Sequence, residues 1–190
     1  MEHPVTAVYD ANVLYPAPLR DLFVRLAEDG LVRAKWTEAI HDEWVRNLLQ
    51  QKPQLSPDRL DRTRLLMNDA VRDCLVTGYE DLIDSLHLPD PDDRHVLAAA
   101  IRVSAPVIIT FNLKDFPAER LAPFDIVAVH PDDFLVSLLE LAPGQVYTVI
   151  KRQRAALRNP PRSAEELLAT FETNGLVQAV ARLRPFVHLL

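Results

Sequence analysis

Short apolar runs that alternate with segments of helical periodicity are the feature that most restricts the fold of this chain. Each run is rich in β-branched residues and too short for a helix, so each is predicted to be a strand. Because strands that alternate with helices form parallel sheets, we predict an α/β fold of three layers, with a central parallel sheet and helices on both faces. The predicted strands are residues 4–10, 31–36, 106–111 and 125–130.

Helix signals fill the intervals between these strands. Thr37 and Ser56 are suitable N-cap residues, and Gly30 is suited to end a helix. The helices predicted in this part of the chain are residues 16–30, 38–50, 57–75, 93–104 and 131–141.

The strand pattern stops near Pro143, and only helical periodicity follows it. A chain of 190 residues is too short for two full-sized domains. We therefore predict a main α/β domain over residues 1–142 and a C-terminal helical extension over residues 143–190. The helices predicted in the extension are residues 145–158, 163–174 and 176–184.

The composition indicates in which cellular compartment the protein works. Its one cysteine, Cys74, excludes an internal disulfide, and the apolar neighbours Val71 and Leu75 favour a core position for it. No apolar run approaches the ~20 residues that a membrane helix needs. No basic leader follows Met1. We expect a cytoplasmic protein that does not enter a membrane.

Charge is divided unevenly along the chain. Residues 1–150 hold 14 Lys and Arg against 24 Asp and Glu, whereas residues 151–190 hold 7 against 3. This division fits a carboxylate site for a cation that is served by a separate phosphate-binding surface. It fits equally well an acidic protein whose C-terminal helices carry surface salt bridges, so charge alone leaves both interpretations open.

Polar side chains follow two of the predicted strands. Asp10 comes directly after the first strand, and Asn112 and Asp115 follow the third. In open parallel sheets, ligands bind beyond the carboxyl ends of the strands. A carboxylate at such a position is poorly solvated unless it meets a cation or hydrogen-bond donors. Asp10 is therefore either a ligand or the cap of a following turn.

Two predicted helices carry further acids. Glu43 is followed by the apolar Trp44, which places it near the edge of the buried face of helix 38–50. Asp93 stands with Asp90 and Asp92 at the start of the next helix, where the helix dipole stabilises acids. Three acids are more than capping requires.

These residues belong to motifs that resemble the four motifs of the PIN-domain family, and most of all those of its VapC toxin branch. The motifs occur in the family's order, and the resemblance covers about residues 4–136. The extension resembles the helical tails of some of these toxins. The motifs are Asp10-Ala-Asn-Val-Leu, the isolated Glu43, Asp93 with Val96-Leu-Ala-Ala-Ala100, and Thr110-Phe-Asn-Leu-Lys-Asp-Phe116.

The resemblance implies one acidic pocket that binds Mg²⁺ or Mn²⁺ and hydrolyses phosphodiester bonds in RNA. Hard divalent cations prefer oxygen ligands, and such an ion can activate a water for in-line attack on a phosphate. Acids brought together without a cation would repel one another. The implied catalytic and metal-binding residues are Asp10, Glu43, Asp93 and Asp115.

Two of these ligand assignments stay open. Asp92 stands directly beside Asp93 and could take its place, although the spacing to the following alanines favours Asp93. In the last motif, the ligand could be Asn112 instead of Asp115.

Three polar residues are candidates to support the site. Asn12 could hold Asp10 in position, or it could simply form a turn. Thr110 and Asn112 could orient a water or a phosphate group.

Basic and aromatic residues are candidates for contacts with RNA. Lys151, Arg154 and Arg158 fall near one face of a predicted helix, where they would either bind phosphates or form a solvated surface. Tyr15 and Trp44 could contact bases, although packing in the core or at its rim is the commoner role of such residues.

The expected function is that of a metal-dependent endoribonuclease, the toxin of a type II toxin–antitoxin pair. The expected partners are an RNA substrate, a small antitoxin protein and a second copy in a possible homodimer. One alternative is a PIN-fold module that has lost catalysis and binds RNA or protein, which the four intact acids disfavour. Another is a small-molecule phosphohydrolase with Asp10 as nucleophile, which Asn12 disfavours because such enzymes usually have a second acid there.

Overall fold

A four-stranded parallel sheet forms the centre of the protein, as the sequence predicts. The computed structural model describes residues 4–190. The strands are shorter than predicted, and their order in the sheet is β2-β1-β3-β4, with every pair parallel. They are β1 (Thr6–Tyr9), β2 (Arg33–Lys35), β3 (Val107–Ile109) and β4 (Val127–Val129).

Helices connect the strands and build the extension. Short 3₁₀ turns lie at Glu80–Ser85, Pro91–Asp93, Leu113–Asp115, Ala122–Phe124 and Arg184–Leu189. The α-helices are α1 (Ala11–Leu14), α2 (Ala17–Glu28), α3 (Glu38–Gln51), α4 (Pro57–Ala70), α5 (Arg94–Arg102), α6 (Ala118–Leu121), α7 (Pro131–Leu141), α8 (Pro143–Ala156), α9 (Ala164–Thr173) and α10 (Val177–Leu183).

Most of the predicted helix ends are explained by the capping residues next to them. The Thr37 hydroxyl accepts a hydrogen bond from the Ile40 N–H at the start of α3. Gly30 adopts a positive φ after α2, a conformation that glycine accepts without strain. Ser56 occupies the N-cap position of α4 but makes no side-chain capping bond, so the fixed φ of Pro57 is the stronger start signal there.

Helix α4 is shorter than predicted. It ends at Ala70 and not near Leu75. Beyond it, the backbone turns to lie beside the residue that follows β2, where the Trp36 N–H donates to the Cys74 carbonyl and the Val76 N–H donates to the Trp36 carbonyl, both at 2.9 Å. These long-range bonds replace helical ones, and Cys74 is buried as predicted.

Strand β4 differs from the prediction in its environment. The sequence indicates a buried strand, but β4 lies at the edge of the sheet and Val127 is 56% exposed. A run of apolar residues cannot reveal whether a strand has neighbours on one side or on two, because that depends on strand order.

Helices cover both faces of the sheet, which confirms the three-layer α/β fold. On one side Tyr9 of β1 meets Phe23 of α2 edge to face, with ring centroids 5.6 Å apart. Helix α5, in which residues 96–100 are all buried, packs against β1 and β3. The small alanines of α5 allow this helix to approach the sheet closely.

The extension packs on the α/β layers as a set of helices. Helix α8 lies against α2, and α10 lies against α7 and α9. The buried Asp132 carboxylate of α7 accepts hydrogen bonds of 2.8 Å from the N–H groups of Gln178 and Ala179 at the start of α10. The division of the chain at residues 142 and 143 stays a prediction. Across residues 4–190, no helix combines the length and apolar character that crossing a membrane requires.

Candidate active site

Asp10 lies at the carboxyl end of β1 and is only 2% exposed. It is also the N-cap of α1, since its Oδ1 accepts a 2.6 Å hydrogen bond from the Ala11 N–H. Its Oδ2 accepts bonds from the Asn12 amide at 2.5 Å and from the Thr110 hydroxyl at 2.7 Å. Donors therefore hold this buried carboxylate in one orientation.

The same network joins the ends of β1 and β3. Asn12 Oδ1 accepts a hydrogen bond from the Phe111 N–H at 3.1 Å, and its amide donates to Thr110 Oγ1 at 3.0 Å. The Asn112 N–H also donates to Thr110 Oγ1, at 2.9 Å. Asn12 and Thr110, both predicted as supporting residues, thus lie against Asp10.

Three carboxylates meet beside this network. Asp90, Asp93 and Asp115 each place one oxygen within 4.8 Å of the others. The 3₁₀ turn before α5 positions Asp93, and the turn after β3 positions Asp115, whose Oδ2 accepts a hydrogen bond from the Asn112 amide. This triad supplies only oxygen ligands, which suits a hard divalent cation.

Burial, together with repulsion between the acids, raises the pKa of two acids of the site. Burial is the largest cause for Asp93, whose pKa rises to about 7. Burial also raises the pKa of Asp10 to about 6, although the hydrogen bond from Thr110 opposes that shift. The charges that further raise the pKa of Asp93 are those of Asp10, Asp90, Glu43 and Asp115.

These shifts describe a site with an excess of negative charge. Asp10 and Glu43 lie outside the triad, but they are near enough for their charges to act on Asp93. Asp93 and Asp115 are half-buried, so water screens them incompletely. A divalent cation would neutralise the repulsion, and the donor set therefore fits Mg²⁺ or Mn²⁺.

Glu43 reaches the site from the middle of α3. It is half-buried, as its place beside Trp44 predicts, and its Oε2 lies 3.4 Å from Nε2 of His95 on α5. The other ring nitrogen of His95 is buried and has no hydrogen-bond partner among the described residues. His95 therefore faces Glu43 across the gap between the two helices.

The geometry distinguishes the pairs that the motifs left open. Asp92 is exposed, and its backbone N–H donates to Asp90 Oδ1 at 2.9 Å, whereas Asp93 belongs to the triad. Asn112 donates to Asp115, whose carboxylate also belongs to the triad. Asp93 and Asp115 therefore lie in the triad, whereas Asp92 lies outside it and Asn112 contacts it through Asp115.

Two residues of this region were not predicted as part of the site. Asp90 was considered only as one of three acids at a helix start, yet it caps the 3₁₀ turn and also points into the triad. The excess of acids over what capping needs was the signal that could have identified it. His95 follows Asp93 by two positions in the sequence, but its contact with Glu43 could not be predicted, because that contact depends on how α3 and α5 pack.

The predicted basic face is only partly formed. Helix α8 ends at Ala156, so Arg158 lies beyond it and does not continue the helical face. The chain there forms an isolated bridge between Arg158 and Pro161, which ends the helix before the predicted position. Lys151 and Arg158 are exposed, but Arg154 is half-buried. The prediction of a single helical face through Arg158 is wrong.

Two protein-family models match the chain. The model described as PIN domain matches residues 6–114, and the model described as VapC50 C-terminal domain matches residues 131–185. The curated protein "Putative ribonuclease VapC50" of Mycobacterium tuberculosis (strain ATCC 25618 / H37Rv) is 46% identical over 91 residues. Those residues are 48% of this chain and 53% of the relative, so the chain spans about half the length of that protein. No solved structure matches.

The PIN-domain match covers more than half of the 190 residues and includes every strand except β4. It also includes Asp10, Glu43 and Asp93, the acids at the carboxyl side of the sheet. The chain therefore belongs to the PIN-domain family.

Proposed function

We propose that this protein is a metal-dependent endoribonuclease that hydrolyses phosphodiester bonds in RNA. The observation that carries the proposal is the convergence of carboxylates from four separate parts of the chain on one half-buried site. Burial, and after it the repulsion between neighbouring acids, raises the pKa of Asp10 to about 6 and that of Asp93 to about 7. A cluster of carboxylates with raised pKa values is suited to bind a divalent cation, and the bound cation can in turn bind a phosphate.

Asp10, Glu43, Asp93 and Asp115 are the proposed metal-binding and catalytic residues. Mg²⁺ or Mn²⁺ bound there would lower the pKa of a coordinated water and neutralise charge on the leaving oxygen. Asn12 and Thr110 hold the Asp10 carboxylate still, so that no reorientation is needed when a substrate arrives.

Within this proposal the protein is the toxin of a type II toxin–antitoxin pair. The support is the family and the name of the curated relative, which is called a ribonuclease. A small antitoxin protein would hold it inactive in the cytoplasm. Lys151, Arg154 and Arg158 of the extension are the proposed contacts to RNA phosphates, since this part of the chain carries excess positive charge.

RNA cleavage tests the proposal directly. Purified protein is incubated with structured and unstructured RNA in Mg²⁺, in Mn²⁺ or in EDTA, beside Asp10→Asn and Asp93→Asn. We expect cleavage by the wild type only with metal, and a loss of at least about 100-fold in either variant. Asp84→Asn, which removes an exposed acid elsewhere, should cleave normally.

Two outcomes would overturn the proposal. Cleavage that persists in EDTA or in both variants would exclude the acidic site as its source. RNA binding without cleavage under any metal condition would favour the non-catalytic binding module.

A further inference from the structure

A polar cavity of about 260 Å³ opens beside the acidic site. Two of its residues, Asn12 and Glu43, also belong to that site, so the cavity adjoins the site. Amide side chains make up most of its walls. The lining residues are Asn12, Tyr15, Glu43, Asn47, Gln50 and Gln51.

The cavity follows one face of α3. Glu43, Asn47, Gln50 and Gln51 occur at spacings of four, seven and eight residues, which place them on a single stripe of the helix. At 1.5 Å per residue, the stripe extends about 12 Å along the helix from Glu43. At its far end the Tyr15 hydroxyl donates a 2.6 Å hydrogen bond to Gln51 Oε1.

Two of the amides are available to a ligand. The Asn12 amide is engaged with Asp10, Thr110 and Phe111, and that of Gln51 accepts from Tyr15. By contrast, the side chains of Asn47 and Gln50 make no hydrogen bond within residues 4–190. Each presents a donor and an acceptor in one plane, as an amide does when it recognises a base edge.

The remaining chemistry of the cavity also suits a base and not a phosphate. Glu43 is its only charged lining residue, and it is negative. Pockets for drug-sized ligands are roughly 300–1,000 Å³, so this smaller cavity suits one planar ring system. Tyr15, a half-buried aromatic residue, provides a surface of the kind on which unpaired RNA bases stack.

We propose that the cavity between Tyr15 and the α3 stripe binds the nucleobase of a nucleotide that flanks the scissile phosphate, with Asn47 and Gln50 recognising its edge. This inference rests on the proposed ribonuclease function, because Asn12 and Glu43, which the cavity shares with the acidic site, would place the base next to the reacting group. The cavity thereby gives the cleavage reaction a sequence preference at one position.

Sequencing the ends produced from a randomised RNA pool tests the proposal. Wild-type protein should favour one base, or one class of bases, at a single position next to the cut. Asn47→Ala and Gln50→Ala should each reduce that preference by about tenfold, the loss expected for one good amide–base contact.

A matched control separates this effect from a general loss of amides. Gln145→Ala removes an exposed amide from α8, outside the cavity, and should keep the wild-type preference. Gln50 is itself exposed, so its variant should fold normally, which a thermal melt verifies. The proposal is overturned if the wild type shows no base preference beside the cut, or if both cavity variants keep it.

A binding experiment separates this proposal from the ribonuclease proposal. Short single-stranded RNAs that differ in one base are titrated by fluorescence anisotropy, with Ca²⁺ replacing the catalytic ion. We expect wild-type and Gln145→Ala proteins to discriminate among them about tenfold, and Asn47→Ala to lose the discrimination. Discrimination without cleavage in Mg²⁺ or Mn²⁺ would remove only the nuclease function. Equal affinities for all RNAs would remove the base subsite.

Discussion

The Thr110 hydroxyl donates a 2.7 Å hydrogen bond to the carboxylate of Asp10, from which it is separated by 100 positions in the chain. The two residues follow β1 and β3, which are neighbours in the sheet although β2 and the helices α1 to α5 lie between them in sequence. The bond crosses from the end of one strand to the end of the next, and it fixes the most buried acid of the candidate site.

Removing this hydroxyl should weaken the site without unfolding the protein. In Thr110→Val, Asp10 loses a donor that lowers its pKa and holds its orientation. We expect metal affinity or cleavage rate to fall about 10–100-fold, as is usual when a residue that orients a metal ligand is lost. Isothermal titration with Mn²⁺ and cleavage assays measure the two effects.

Thr148→Val is the matched control, because it removes an exposed threonine hydroxyl from α8. It should leave metal affinity and cleavage at the wild-type level. Wild-type metal affinity in Thr110→Val would show that the bond to Asp10 has no part in metal binding.

The acidic site should make the metal-free protein less stable as pH rises. The pKa of Asp10 (about 6) and that of Asp93 (about 7) are above the ordinary value of 3.8. A raised folded-state pKa contributes stability below the unfolded pKa, and this contribution disappears as pH rises through the folded pKa. Urea unfolding in EDTA should therefore show stability falling between about pH 4 and pH 7 from this cause.

Asp93→Asn should flatten this pH dependence. We expect the variant to be more stable than the wild type at pH 8 by roughly 1–2 kcal/mol, after allowance for solvent around a half-exposed carboxyl, and by less at pH 5. Asp84→Asn, an exposed acid outside the site, should retain the wild-type slope. Equal slopes in wild type and Asp93→Asn would contradict the repulsion described here.

The three acids before α5 should differ in importance. Asp93→Asn should reduce cleavage by at least about 100-fold, whereas Asp90→Asn should weaken metal binding by about tenfold. Asp92→Asn should change either quantity by no more than about threefold, because Asp92 is exposed and lies outside the triad. Metal-dependent cleavage rates at several Mg²⁺ concentrations separate the three. A larger loss in Asp92→Asn than in Asp93→Asn would reverse the assignment.

Asp132 should stabilise the packing of the extension and have no part in RNA cleavage. Its buried carboxylate accepts two backbone N–H groups of α10, so Asp132→Ala should lower the free energy of unfolding by about 2 kcal/mol. Cleavage per folded molecule should be unchanged. Asp133→Ala removes an exposed neighbour whose carboxylate accepts a hydrogen bond from the Gln178 side chain, and should cost less than about 0.5 kcal/mol. Equal losses in both variants would refute this role.

Basic residues of the extension should set the salt dependence of RNA binding. Lys151→Glu and Arg158→Glu should each reduce the slope of log affinity against log salt by about 0.7, the value for one phosphate contact with a single strand. Arg72→Glu, an exposed arginine after α4, should leave the slope as it is. If Lys151→Glu and Arg158→Glu also keep the wild-type slope, the extension does not bind phosphates.

Much of the fold could be predicted from the chain because its signals are local. Apolar runs near Val8 and Ile108 identify two strands, and Thr37 identifies the start of α3. Each of these signals depends on residues only a few positions apart. Asp10 and Asp93 were predicted as ligands from the order of four motifs along the chain, which resembles the order in the PIN-domain family.

The remaining features depend on contacts between distant segments, which a local pattern does not contain. Helix α4 ends early because the backbone of Cys74 and Val76 hydrogen-bonds to Trp36, and β4 is exposed because it is last in the strand order. The place of Asp90 in the triad depends on how the turn before α5 packs against the turn after β3.

The sequence thus determined the secondary-structure elements, since periodicity and capping act over a few residues, and it identified the candidate acidic residues. Folding defined which of those acids share a site, how strongly they repel one another and which amides face the cavity beside them. These properties follow from distance and burial, and both arise only when strands and helices far apart in the chain are packed together.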